Sequence, residues 1–306
     1  MADLRVKLGP LLLKNPVMTA SGTFGYGAEY AEFFPLSRLG AVVVKGIAPL
    51  PVHGNPPPRT AEVTSGMLNA IGLQGPGVEK FLHDEHYLPW LRKVSATVIV
   101  NIWGKKVEDY ALVARRLDEE KTGISAIEIN VSCPNVKEGG ASFGTDTESM
   151  TRVISAVRKA TDLPLITKLS PNVTRIADFA RAAEDAGSDM ISLINTIPGM
   201  AIDIETRRPK IANVTGGLSG PAIKPIAVRM VYEASRAVRI PVIGMGGIMT
   251  AEDAVEFLIA GASAVAVGTA IFADPAAPLK VIEGLERWMD DHSIASVSEL
   301  TGSIRL

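Results

Sequence analysis

PVIGMGGIMTAEDAVEFLIAGASAVAVGTA, Pro241–Ala270, contains one full repeat of the unit that decides the fold. Val242–Met245 is apolar on successive residues, not alternate ones, as expected of a parallel strand covered on both faces. Gly246 and Gly247 break it, and Ala251–Ala260 then has the spacing of an amphipathic helix. Gly261 supplies the residue able to adopt φ > 0 that ends such a helix. Ala264–Val267 is a second buried strand, followed by Gly268 and Thr269.

The same unit recurs outward from this stretch. Strands are expected at Val17–Thr19, Ala41–Lys45, Val98–Asn101, Ala126–Asn130, Leu165–Lys168 and Met190–Ile194. Between them fall helices at Val107–Glu120, Thr147–Ala160, Ile176–Ala186 and Ile223–Val238, with another at Ala276–Asp290 after the last strand. Eight strands alternating with helices in 306 residues predict an α/β fold, a (β/α)8 TIM barrel forming one domain over residues 1–306. The competing open, doubly wound sheet is weakened because no Gly-x-Gly-x-x-Gly follows the first strand. Leu4–Leu8 and Leu11–Leu13, joined by Gly9-Pro10, predict an N-terminal hairpin that closes the bottom of the barrel. The connections Gly46–Pro76 and Asn195–Pro221 are too long for simple loops, and long loops after barrel strands usually carry function.

Composition narrows the chemistry. The chain is 47% hydrophobic and 21% charged, with a formal net charge of −2, which excludes wholesale disorder and a basic nucleic-acid footprint. Its start has no signal-peptide h-region, and its longest uncharged stretch, Phe257–Ala273, is interrupted by turn residues. A soluble, cytoplasmic protein is the expectation. One cysteine, Cys133, excludes an intrachain disulfide, a four-cysteine zinc site and an iron–sulfur cluster bound by this chain alone. No metal site is expected, so redox chemistry here needs an organic cofactor or a centre on another chain.

Polar residues recur at the C-terminal ends of the strands, the face that carries the active site in barrels. They are Ser21, Lys45-Gly46, Asn101, Asn130, Lys168 and Asn195-Thr196. A lysine at the end of an apolar strand is costly to bury without an anion or acceptor. Two lysines and three asparagines on one rim therefore indicate a shared polar ligand. The glycine-rich turns after the seventh and eighth strands, at Gly246-Gly247 and Gly268-Thr269, suit a phosphate held by backbone N–H groups. Cys133 follows the fourth strand directly, on the same face, which favours a reactive thiol over a buried apolar one. No histidine is spaced to pair with it, which leaves open a thiolate acting alone as a general base.

These motifs resemble the class 1 dihydroorotate dehydrogenases, and most closely class 1B, the catalytic subunit of the NAD-linked enzyme. The resemblance runs over essentially the whole chain. It is carried by Ala20-Ser21-Gly22-Thr23-Phe24-Gly25, Asn69-Ala70-Ile71-Gly72-Leu73-Gln74 and Asn130-Val131-Ser132-Cys133-Pro134-Asn135. Lys168-Leu169-Ser170-Pro171, Ile194-Asn195-Thr196, Gly217-Leu218-Ser219-Gly220 and Gly244-Met245-Gly246-Gly247 add to it. One departure is Gly75, where asparagine is expected in many class 1B sequences.

The resemblance implies oxidation of (S)-dihydroorotate to orotate in pyrimidine biosynthesis, with bound FMN. It implies that Ser21, Lys45, Gly46, Asn101, Asn130, Lys168 and Ile194 line the flavin, and that Gly220, Gly246, Gly247, Gly268 and Thr269 hold its phosphate end. Lys45, Asn69, Ala70, Ile71, Gly72, Leu73, Asn130, Asn195 and Thr196 are implied around the pyrimidine. Cys133 matches the catalytic base, and Lys168 is the cation expected beside the reduced ring. Electrons are implied to pass to a separate subunit carrying FAD and a 2Fe–2S cluster, and so to NAD+, from a homodimer of catalytic subunits within a heterotetramer. The alternatives are a class 1A-like homodimer using fumarate, an FMN barrel subunit of a dihydropyrimidine dehydrogenase, and a non-catalytic barrel for a phosphorylated ligand.

Overall fold

The computed structural model describes residues 2–132, 137–138 and 141–306. Cys133, the expected base, lies outside the described residues.

Eight parallel strands form the barrel: β1 Val17–Thr19, β2 Val42–Ile47, β3 Val98–Ile102, β4 Ala126–Asn130, β5 Leu165–Lys168, β6 Met190–Leu193, β7 Val242–Met245 and β8 Ala264–Val267. The hydrogen-bonded order runs from β2 through β3, β4, β5, β6, β7 and β8 to β1. A parallel bridge between Met18 and Ala41 brings the ends of this order together. The N–H of Val43 adds to the closure by donating to Thr19 Oγ1 at 3.0 Å. Nearly every strand residue is buried, which is the physical reason the runs are continuously apolar instead of alternating.

Six longer helices pack around the strands: α1 Val107–Glu119, α2 Thr147–Arg158, α3 Ile176–Asp185, α4 Lys224–Ser235, α5 Ala251–Ala260 and α6 Ala277–Asp291. On α1 the buried face is Tyr110, Val113, Ala114 and Leu117, the i, i+3, i+4, i+7 stripe of a helix lying on a sheet. Asp146 starts α2 by accepting from the N–H of Ser149 at 2.8 Å, a cap of a kind that contributes about 1 kcal/mol.

Three strands differ from expectation at their ends, by one or two residues. The most informative is β2, which runs on to Ile47 because its pairing with β3 shifts register between Val44 and Ile47. The irregularity falls on Lys45-Gly46, where a bulge re-aims a side chain at a barrel rim. The N-terminal hairpin forms as expected, with Val6–Leu8 paired to Leu11–Leu13.

The two long connections are not irregular loops. Thr60–Val63 and Gly66–Asn69 come from the first, Ile197–Met200 and Thr215–Ser219 from the second, and together they make one four-stranded antiparallel sheet. Gly217 pairs with Asn69 where the two insertions meet. Sequence periodicity did not reveal these strands, because Gly-rich segments such as Thr215-Gly216-Gly217-Leu218 carry little β signal of their own.

Candidate active site

At the mouth of the barrel, Lys168 ends β5 and is only 6% exposed. Its neighbours in the sheet are Asn130 of β4 and Ser192 of β6. Its ammonium offers three donors. Among the described residues its hydrogen-bond partner is Ser21 Oγ, at 3.5 Å. Burial of a cation with one distant hydroxyl leaves most of its desolvation uncompensated, so the position is suited to an incoming acceptor or anion.

Asn130 and Asn195 stand beside it. Nδ2 of Asn195 lies 3.4 Å from Oδ1 of Asn130, which also accepts from the N–H of Ser132 at 3.2 Å. The Tyr110 hydroxyl donates to the Asn130 carbonyl at 2.9 Å, and the Ser132 hydroxyl to the Lys168 carbonyl at 3.2 Å. These bonds fix the rim at both strand ends. Ile194 is tied across to β7, its N–H donating to the Met245 carbonyl at 3.0 Å.

The residues expected at a phosphate end also come together in part. Thr269 Oγ1 donates to Ser219 Oγ at 2.8 Å, joining the turn after β8 to the residue before Gly220. Gly247 has φ +82°, and a Cβ there would lie 2.9 Å from the Gly220 carbonyl oxygen and 2.8 Å from Lys224 Cβ. Any side chain at 247 would fill the space between the two turns. Gly246 and Gly247 lie outside any strand or helix, and among the described residues their N–H groups have no backbone partner.

On the opposite side of the mouth, a Cβ at Gly46 would lie 3.0 Å from Asn101 Oδ1 and 2.9 Å from Trp103 Cδ1. Among the described residues, Trp103 Nε1 is buried without a hydrogen-bond partner. Burial lowers the Lys45 pKa from the ordinary lysine value, Arg59 adds to the effect, and Glu29 opposes it. Arg59 is thereby placed within electrostatic reach of Lys45, a residue the sequence reading did not single out.

The residues expected around a substrate are brought together less completely. Asn69 Nδ2 donates to the Gly217 carbonyl at 3.3 Å, and a Cβ at Gly217 would collide with Thr196 Oγ1, so Asn69 and Thr196 flank one glycine. Asn195 and Thr196 follow β6 after Ile194, with the Thr196 N–H donating to Asn195 Oδ1 at 2.8 Å. The backbone hydrogen bonds of Ala70 and Ile71 run instead to Arg59 and Asn55, and Gly72 packs on Asn55. Leu73, at φ +57°, packs against the core.

Glu128 was also missed. It is 2% exposed inside the barrel, and its carboxylate accepts from Asn101 Nδ2 at 2.5 Å and Ser192 Oγ at 2.8 Å. The available signal was a lone acidic residue inside the otherwise buried run Ala126-Ile127-Glu128-Ile129.

A family model for dihydroorotate dehydrogenase matches residues 3–289. The dihydroorotate dehydrogenase B (NAD(+)) catalytic subunit of Geotalea uraniireducens is 53% identical over 302 residues, covering 99% of this chain and 98% of that one. The subunit of the same name from Thermoanaerobacter pseudethanolicus is 55% identical over 304 residues, covering 99% of each. Among solved structures, dihydroorotate dehydrogenase from Eimeria tenella, in complex with ferulenol, superposes with a TM-score of 0.81 at 24% identity. That superposition covers 98% of this chain and 88% of that one, and it supports the barrel fold.

Proposed function

The chain belongs to the dihydroorotate dehydrogenase family, and from that premise we propose that it is the catalytic subunit of an NAD-linked enzyme oxidising (S)-dihydroorotate to orotate with bound FMN. The observation that carries the flavin reading is the buried, under-partnered ammonium of Lys168 facing Ser21 at a rim of asparagines.

The residues fit the cofactor's chemistry. Ser21, Lys45, Gly46, Asn101, Asn130, Lys168 and Ile194 would hold the ring, and Gly220, Gly246, Gly247, Gly268 and Thr269 the phosphate end. Bound FMN supplies a two-electron acceptor for the hydride leaving C6 of dihydroorotate. Lys168 holds a fixed positive charge in a water-poor place, where it stabilises negative charge that develops beside it without reorganisation. Cys133 takes the proton from C5; an ordinary thiol titrates near pH 8.5, within reach of a general base at physiological pH. Asn130, Asn195 and Asn69 each offer a donor and an acceptor to the N–H and C=O groups of a flat pyrimidine. Lys45 and Thr196 complete the polar surround, with Ala70, Ile71, Gly72 and Leu73 on the loop above.

One cysteine cannot hold an iron–sulfur cluster, which supports an electron-transfer subunit carrying FAD and 2Fe–2S as the next carrier. A homodimer of catalytic subunits within a heterotetramer, working in the cytoplasm, completes the reading. None of the described helices is long and apolar enough to cross a membrane.

The test is an absorption spectrum of the purified chain followed by anaerobic titration. A yellow protein that bleaches with dihydroorotate and not with dihydrouracil supports the proposal. A chain that cannot take up FMN, or one bleached only by dihydrouracil, overturns it.

A further inference from the structure

Glu128 precedes Asn130 by two residues on β4, so both side chains leave the strand on its inner face, Glu128 one layer deeper. TIM-barrel interiors are normally filled by layers of branched aliphatic side chains. Here that layer holds a carboxylate 2% exposed, with no salt-bridge partner among the described residues. The carboxylate links Asn101 of β3 to Ser192 of β6, and Ser192 is the residue in register with Lys168 on the intervening β5. A buried anion held by two neutral donors is a costly way to fill a core.

The arrangement settles the orientation of one amide. A carboxylate only accepts hydrogen bonds, so the group of Asn101 turned toward Glu128 at 2.5 Å is its Nδ2. Oδ1 must then face the other way, toward Gly46, and it accepts no hydrogen bond from the described residues. We propose that Glu128 is a positioning residue for the flavin: by taking the donor end of Asn101, it commits that side chain to present an acceptor to a ring N–H at Gly46. Ser192 in turn orients Glu128. The proposal rests on the flavin reading of the rim and names a residue that reading does not use.

The consequence of neutralising Glu128 follows from the same network. A glutamine at 128 can keep the Asn101 bond by turning its Nε2 on the Ser192 hydroxyl oxygen, which also accepts, so the informative change is Glu128→Met, which removes both acceptor oxygens. Asn101 is then no longer held by its donor end, and it is free to flip and present a donor to a donor. In Asn101→Asp combined with Glu128→Gln, the amide donates to one aspartate oxygen and the other oxygen is presented as wild-type Oδ1 is.

The test measures FMN dissociation constants by flavin fluorescence, with melting temperatures of the flavin-free proteins as a control on folding. Glu128→Met should bind FMN at least about tenfold more weakly, one hydrogen bond's share of affinity. The double variant should return to within about threefold of wild type. Wild-type affinity in Glu128→Met, or a double variant no tighter than Glu128→Met, overturns the proposal. If Glu128→Met does not fold, the double variant against wild type decides in the same way. A readout without flavin separates this from the cofactor reading. In wild-type protein free of FMN, NMR should place one Asn101 side-chain amide proton well downfield of the other asparagines, and an ordinary shift there overturns the lock. Failure of wild type to bind FMN strikes the cofactor reading instead.

Discussion

Lys168 and Ser21, 147 residues apart in the chain, meet at 3.5 Å inside the barrel mouth, and the contact is too long to satisfy a buried ammonium. The site is therefore built at the expense of the empty fold's stability. Lys168→Met keeps the length of the side chain and removes the charge. Without FMN the variant should be more stable by about 1–3 kcal/mol, because an uncompensated buried cation is replaced by an apolar chain. Its affinity for FMN should fall at least about tenfold. Thermal melts with and without FMN check both, and a yellow, fully active variant would sink the assignment.

Cys133→Ser should retain FMN and slow its reduction by dihydroorotate by about 100-fold or more, the scale of a general base. Activity should move to higher pH, because a hydroxyl is a much weaker acid than a thiol near 8.5 and yields its conjugate base only at higher pH. Stopped-flow reduction across pH reads this directly. Wild-type kinetics in the serine variant would remove Cys133 from the mechanism.

The barrel was legible because its strands are buried on both faces. Val242–Met245 and Ala264–Val267 sit where their unbroken apolar runs placed them, and Gly261 ends α5 as expected. The rim was legible too, since Lys168 and Asn130 are polar endings on apolar strands. The insertion sheet was not, because its stability comes from pairing Gly217 with Asn69, far apart in sequence, and no local pattern encodes that. Arg59 and Glu128 were missed for the same reason. Each acquires its role from a partner on another strand or loop, Lys45 for one, Asn101 and Ser192 for the other.

Gly247→Ala should damage the phosphate end and the fold together. At φ +82° a Cβ costs about 1–2 kcal/mol, and here it also meets Lys224 Cβ at 2.8 Å and the Gly220 carbonyl oxygen at 2.9 Å. Relief requires the turns at 220 and 247 to separate, which opens the surface proposed for the phosphate. Melting temperature and FMN affinity should both fall, while riboflavin, which lacks the phosphate, should lose less affinity than FMN. Equal losses for the two flavins would show that Gly247 does not sense the phosphate.

Acid should loosen the same turn through Asp253. This carboxylate accepts from Lys224 Nζ at 2.7 Å and from the N–H groups of Met249 and Thr250 at 2.8 and 3.0 Å, securing the start of α5 just after Gly247. Burial acts to raise its pKa, but the bonds from Lys224 and the two N–H groups outweigh it and hold the group below the ordinary aspartate value of 3.8. A carboxylate with a depressed native pKa stabilises the fold fully above its unfolded pKa, and that contribution disappears as pH falls through the native value. Asp253→Asn should therefore cost about 1–2 kcal/mol at pH 7. The gap to wild type should hold down to about pH 4 and narrow below it, as the wild-type carboxylate protonates. Urea melts of both proteins from pH 7 to pH 3 measure the gap, and one that stays constant to pH 3 would show that Asp253 draws no stability from its charge.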